Sequence, residues 1–257
     1  MKLTNRSFLL PFVAFFLLLM LWQLLTIFSG WSEQVFPGPV KVFISMWELI
    51  TDGTLLRHSV ASLFRVTAGF YLAMITGIPL GILLGRWQLL QGLLNPMIQF
   101  LRPISPLAWI PLSMLWFGIG DKPAVFLIFL ASFFPLAVST TAAVQSIPPV
   151  YFHVAANFNF SRYEVLTKII IPGILPAVIT ALRITITIAW LVVVAAEMIA
   201  VKSGLGYLIL DSRNALRMDY VMDGMIVIGL IGLLLDYVMT RLNRIDSLMW
   251  ALVGSGK

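Results

Sequence analysis

The sequence predicts an all-α membrane protein with six transmembrane helices, and three observations carry that expectation. Of the 257 residues, 60% are hydrophobic and 11% charged, whereas soluble domains carry about 25% charged residues. Mean hydropathy is +0.98. Several apolar runs reach the ~20 residues that a helix rising ~1.5 Å per residue needs to cross about 30 Å of hydrocarbon, and the ~10-residue alternation of a membrane β-barrel is absent.

The first run, 8–29, follows Lys2 and Arg6. It is too long for the apolar core of a signal peptide, and no small-x-small cleavage site follows in "SGWSEQVF", so it is expected to be a retained span. In the next segment Val42, Phe43, Met46, Trp47 and Ile50 recur at helical spacing and predict an interfacial helix that ends in a turn at "TDG". The second span is placed at 64–85. Its Gly77, Gly81 and Gly85 stand four apart, leaving one face bare for the close approach of a neighbour. The remaining spans are expected at 97–118, 123–146, 174–200 and 222–242. Three units follow: 1–63, the first span with the interfacial segment; 64–246, the transmembrane core; and 247–257, a tail.

The net charge of +6 does not indicate a nucleic-acid partner, because the basic residues are scattered without a polybasic cluster. Cysteine is absent, which removes disulfide and thiol chemistry. With the N-terminus inside, Lys and Arg divide eight to seven between inner and outer segments, Arg57 and Arg65 counting as outer. That margin barely favours the orientation. Four ionisable residues, Arg102, Arg183, Glu197 and Asp236, fall in or near spans. Burying such a group costs several kcal/mol unless it is paired or meets water, so each is a candidate for function or for a helix-to-helix pair. Arg183 and Glu197 lie about 21 Å apart along one helix and cannot pair with each other.

Signatures of catalysis are missing. There is no H-E-x-x-H, no G-x-S-x-G and no phosphate loop of the form G-x-x-x-x-G-K-[ST], and His58 and His153 are far apart. The chain is therefore not expected to be an enzyme. If ATP drives movement here, another subunit hydrolyses it.

The stretch "HVAANFNFSRYEVLTKIIIPGILP" (153–176) holds polar side chains between two apolar runs. His153-Val154-Ala155, then Asn159 after three residues, Ile169 after nine more, Ile171 and Pro172 follow the skeleton E-A-A-x3-G-x9-I-x-L-P. This resembles the coupling loop of the inner-membrane permease subunits of ABC importers, the binding-protein-dependent transport systems. The likeness covers most of the chain. "LRPISPLAWIPLSMLWFGIGD" (101–121) and "AWLVVVAAEMIAVKSGLGYLILDSRN" (189–214) look like the branch that imports nitrate, bicarbonate, taurine and other sulfonates.

The resemblance implies a type I ABC importer permease fold in the cell inner membrane, with both termini and the 153–172 loop in the cytoplasm. It implies cytoplasmic ATPase subunits that hold ATP and Mg, a second permease copy or homologue, and a periplasmic or surface substrate-binding protein; no cofactor belongs to this chain. Small side chains at Ala155 and Ala156 are expected to seat in a groove of the ATPase. Asn159 stands where the family has Gly, and Asn is the non-Gly residue that best tolerates the left-handed turn. His153 replaces the family's Glu, an acceptor-only carboxylate giving way to a titratable ring. Phe158, Phe160, Ser161 and Arg162 complete the loop, Phe158 and Phe160 facing either the ATPase or the permease's own spans. Pro172 and Pro176 bracket the entry to the fifth span. For the substrate path the candidates are Arg102, Trp109, Ser113, Arg183, Thr185, Thr187, Trp190 and Glu197. The competing readings are a secondary transporter driven by an ion gradient, against which no repeat relates 1–128 to 129–257, and a structural subunit of a membrane enzyme complex.

Overall fold

The computed structural model describes residues 6–28 and 30–242. The proposed tail at 247–257 and the charges at Lys2, Arg244, Asp246 and Lys257 lie outside the described residues.

Two helices open the chain, α1 (Arg6–Phe28), which coincides with the first expected span, and the amphipathic α2 (Pro39–Thr51). The expected turn follows at Asp52 and Gly53, the glycine in left-handed geometry at φ 74°. The long α3 (Thr54–Arg86) begins ten residues before the expected second span and runs without interruption across residue 63. Nothing between Thr54 and Arg65 breaks a helix. "TLLRHSVASLFR" reads as a loop only because His58, Ser62 and Arg65 are polar, and they are polar because they turn inward.

The expected third span, 97–118, is not one helix. It consists of α4 (Gln88–Leu101), an unwound stretch from Arg102, a single 3₁₀ turn (Pro106–Trp109) and the eight-residue α5 (Ile110–Phe117). Pro103 and Pro106 explain the break: neither has an N–H, so the carbonyls of Gln99 and Arg102 have no amide four residues on to accept from. α6 (Asp121–Gln145) matches the fourth span. After it come the short α7 (Pro149–Asn157) and α8 (Arg162–Val165), a π-type turn (Leu166–Ile170) and α9 (Ile171–Ala200). The helical path from Arg162 to Ala200 is continuous. Pro172 thus sits inside it rather than at its start, and the widened turn, in which Ile171 N–H bonds the Leu166 carbonyl, accommodates the missing donor. α10 (Leu205–Asn214) and α11 (Met218–Leu242) complete the described chain.

Among the described residues, four helices are long and apolar enough to cross a membrane: Thr54–Arg86, Asp121–Gln145, Arg162–Ala200 and Met218–Arg241. Their packing also settles the path of the broken segment. Gly69 faces Ile128, Gly81 faces Thr140 and Gly85 faces Val144, so α3 and α6 run parallel. A Cβ on Gly81 would lie 2.5 Å from the Thr140 Cβ, and one on Gly85 would lie 2.5 Å from the Val144 Cβ. The glycine face is the seam along which α6 approaches, as the spacing predicts. Two parallel neighbours require the chain between them to return through the same thickness, so residues 87–120 make a crossing despite the break.

α9 runs antiparallel to α6. Ala143, Val144 and Ile147 pack with Ile170, Ile174 and Val178 at the end next to α7 and α8, here the loop end. Ala124, Leu127 and Ala131 pack with Val192, Ala196 and Ala200 toward the opposite, far end. The largest cluster joins α2, α3, α6, α9 and α10 through Leu49, Val66, Phe70, Ile128, Trp190, Val193 and Leu205. Outside this core, large apolar side chains on α1, α4 and α11 are exposed, among them Phe12, Phe15, Leu93, Leu233 and Leu234. A water-facing surface of that kind is unfavourable; a lipid-facing one is not.

Candidate functional site

The loop end carries a compact hook. α7 stops at Asn157, and Asn159 takes φ 51°, the left-handed geometry expected where the family has Gly. Around it Phe160 N–H bonds the Ala155 carbonyl at 2.9 Å and Asn159 N–H bonds the Ala156 carbonyl at 3.0 Å, a Schellman closure that satisfies the last carbonyls of α7. Ser161 then starts α8 with a reciprocal cap. Its Oγ accepts from Glu164 N–H at 3.2 Å while Glu164 Oε2 accepts from Ser161 N–H at 2.9 Å. Lys168 Nζ reaches Glu164 Oε1 at 2.8 Å and lies 4.9 Å from the centre of the Phe160 ring. Stop signal and start signal sit back to back, so the reversal is rigid.

Side chains of the hook divide between two faces. Ala155 is 2% exposed and Phe160 half-buried. Both border a cleft against Ile82, Arg86, Phe152 and Leu166 and so face their own chain, while Ala156 and Arg162, which also border it, are exposed. His153, Ala156, Asn157, Phe158 and Tyr163 are exposed. The two phenylalanines therefore part company, Phe158 outward and Phe160 inward.

The residues expected along a substrate path are not gathered into one site. Arg183 makes a two-pronged pair with Asp236 at 2.8 and 3.0 Å, tying α9 to α11. Trp190 is 4% exposed and donates Nε1–H to the Ile228 carbonyl at 3.0 Å. Ser113 and Thr187 donate back to their own helix, to the Ile110 carbonyl at 2.8 Å and the Arg183 carbonyl at 3.3 Å. Thr185 is buried. Arg102 and Trp109 differ from these: both border a cleft of about 180 Å³ at the break in the third crossing.

Glu197 belongs to a buried knot at the far end that sequence reasoning missed. Arg65, counted above with the outer segments, lies within α3 at the far end and is 2% exposed. Its Nη1 pairs with Glu197 Oε1 at 2.6 Å and donates to the Ser203 carbonyl at 2.8 Å, and Nε donates to Asp121 Oδ1 at 2.7 Å. Glu197 Oε2 accepts from Ser62 Oγ–H at 2.8 Å and from Gly206 N–H at 3.0 Å, while Gly204 N–H donates to His58 Nδ1 at 3.0 Å. Gly204, at φ 103°, has to be glycine twice over: a Cβ there would lie 2.3 Å from the Glu197 carboxyl carbon. A second polar cluster joins α2 to α11, where Ser45 Oγ–H donates to the buried Asp223 at 2.7 Å and Arg217 pairs with Asp219 at 2.8 Å. The signal in sequence was the charge itself; the partner, more than a hundred residues away, was not legible.

A family model described as "binding-protein-dependent transport system inner membrane component" matches residues 77–245. The chain belongs to that family. The permease is 37% identical over 232 residues to the taurine transport system permease protein TauC of Escherichia coli, covering 88% of this chain and 84% of TauC. It is 39% identical over 233 residues to the nitrate import permease protein NrtB of Leptolyngbya laminosa, covering 87% and 82%. Among solved structures it resembles an inward-facing conformation of the MetNI methionine ABC transporter, with a TM-score of 0.66 at 16% identity over 74% of this chain and 95% of that one. The fold is therefore that of a type I ABC importer permease, and the chain is an importer's transmembrane subunit.

Proposed function

We propose that the permease forms the path of an ATP-driven importer for a small oxyanion, in the class of nitrate, taurine or another sulfonate, or bicarbonate. The relatives named for those substrates support the class. One observation carries the coupling: the exposed hook at α7 and α8 is welded, through a helix unbroken from Arg162 to Ala200, to the whole length of the fifth crossing. A push on the hook is a push on that crossing. Separate ATPase subunits holding ATP and Mg grip the hook from the cytoplasm, two permease copies or one copy and a homologue flank the path, and an external binding protein delivers substrate. The loop end, with the end of α11, is then the cytoplasmic face, and residues 64–246 form the working core.

Ala156, Phe158 and Tyr163 face the ATPase in this arrangement, whereas Ala155 seats the hook on its own permease. Co-purification with a phosphate-loop ATPase from membranes tests the reading. Phe158→Asp is expected to lower ATPase recovery at least tenfold with the permease still monodisperse. Ala155→Arg is expected to unseat the hook and lower permease yield as well. Undiminished ATPase recovery and uptake in Phe158→Asp would overturn the assignment.

A further inference from the structure

The break in the third crossing lies at a depth where a membrane protein can least accommodate it. Its cleft is bordered by Leu130, Ala131, Phe134 and Pro135 from the middle of the 25-residue α6 and by Ile188 near the middle of the 30-residue α9. Irregular backbone at mid-depth is tolerated where it is buried in protein or lines water. Both walls of this cleft leave backbone acceptors without helical donors. Pro106 does so for the Arg102 carbonyl, and Pro135 does so for the Ala131 carbonyl. Arg102 stands at the mouth. Among the described residues it has no carboxylate partner and its side chain is exposed, whereas Arg65 and Arg183, in neighbouring spans, are held by Glu197 and Asp236.

A permanent unpaired cation at mid-depth is costly, and it is retained where it meets water or a mobile anion. The cleft is about 180 Å³, below the roughly 300–1,000 Å³ of pockets for drug-sized ligands, so it suits a ligand of a few heavy atoms. Its lining side chains are apolar apart from Arg102 and the Trp109 indole N–H. This combination disfavours cations by charge and large ligands by size, and the planar fork of Arg matches two oxygens of an oxyanion at once.

We propose that this cleft, with Arg102 at its mouth and Trp109 on its wall, is a water-filled transit site for a small oxyanion in the permease itself. The proposal rests on the importer reading above, and the test separates the two. Because the chain has no cysteine, Ser105→Cys places one thiol beside Arg102 in the unwound stretch. In the complete transporter in membranes, that thiol is expected to react with water-soluble methanethiosulfonates, the anionic sulfonatoethyl reagent at least fivefold faster than the cationic trimethylammonium one. Adding Arg102→Gln is expected to abolish the preference. Nitrate or taurine uptake into proteoliposomes is expected to fall more than tenfold in Arg102→Gln and less in Arg102→Lys, while ATP hydrolysis stimulated by the loaded binding protein stays within twofold of wild type. An unreactive thiol, an absent charge preference, or undiminished uptake in Arg102→Gln would each overturn the site. A clear preference in a transporter that moves none of the oxyanions would keep the anion site and overturn the substrate class.

Discussion

Arg65 and Glu197 are among the most buried ionisable side chains described, and each is held by several partners rather than by the other alone. The pair therefore acts as a cross-link between α3, α6, α9 and the start of α10. Removing one member leaves the other charged and buried, which costs about 3–5 kcal/mol where this has been measured in proteins, whereas removing both costs less. Arg65→Leu is expected to lower the thermal midpoint of the detergent-solubilised permease sharply, and Arg65→Leu with Glu197→Leu to recover much of the loss. Equal midpoints for the two variants would mean that the knot is not coupled. At Gly204, alanine meets both a left-handed backbone and the Glu197 carboxylate. Its cost is expected to approach that of Arg65→Leu, read by the same melt.

At the scale of elements, the α3 and α6 seam and the hook obey opposite rules. The seam depends on an absent side chain: a Cβ at Gly81 would also lie 2.7 Å from the Ala137 carbonyl oxygen, which is backbone and cannot turn aside. Overpacking of this kind typically costs about 1–3 kcal/mol. Gly81→Leu is expected to reduce folded yield severely, and Gly92→Leu, where a Cβ meets nothing within 4 Å, to leave it unchanged. The hook depends on one backbone angle. Asn159→Gly is expected to be neutral or slightly stabilising, and Asn159→Val to cost about 1–2 kcal/mol through left-handed strain. The measurable consequence of the Val variant is ATP hydrolysis that no longer follows substrate uptake. Glycine spacing showed the seam in advance and the resemblance to the family's loop implied the hook, because each device is local in sequence. The break after Leu101 was less legible: the apolar run from 97 to 118 satisfies a length rule that is blind to Pro103 and Pro106.

For the whole molecule, parallel α3 and α6, antiparallel α9 and α11, and the return through residues 87–120 put α7 and α8 at one end and the Arg65 knot at the other. Single cysteines in this cysteine-free chain read the orientation directly. Tyr163→Cys is expected to react with a membrane-impermeant maleimide in inverted vesicles and not in intact cells whose outer barrier is opened, and Lys202→Cys to show the reverse. The opposite pattern would turn the hook away from the ATPase and end the coupling assignment.

Hydropathy and run length by themselves determined that this chain lives in a bilayer as a helical bundle. The spacing of small residues determined the glycine seam, apolar periodicity the helix at 39–51, and the resemblance to the family's loop the reversal at Asn159. Those signals are legible because bilayer thickness, helix pitch and left-handed backbone act on residues close together in sequence. Only the tertiary structure decided which polar residues are partners, that Arg65 is buried within α3, that Arg183 is paired while Arg102 has no carboxylate partner among the described residues, and that Ala155 faces its own chain. Each of those outcomes depends on which distant helix supplies the opposing charge or surface. The free energy of a charge in a membrane is set by that neighbour, and its own position in the chain does not encode it.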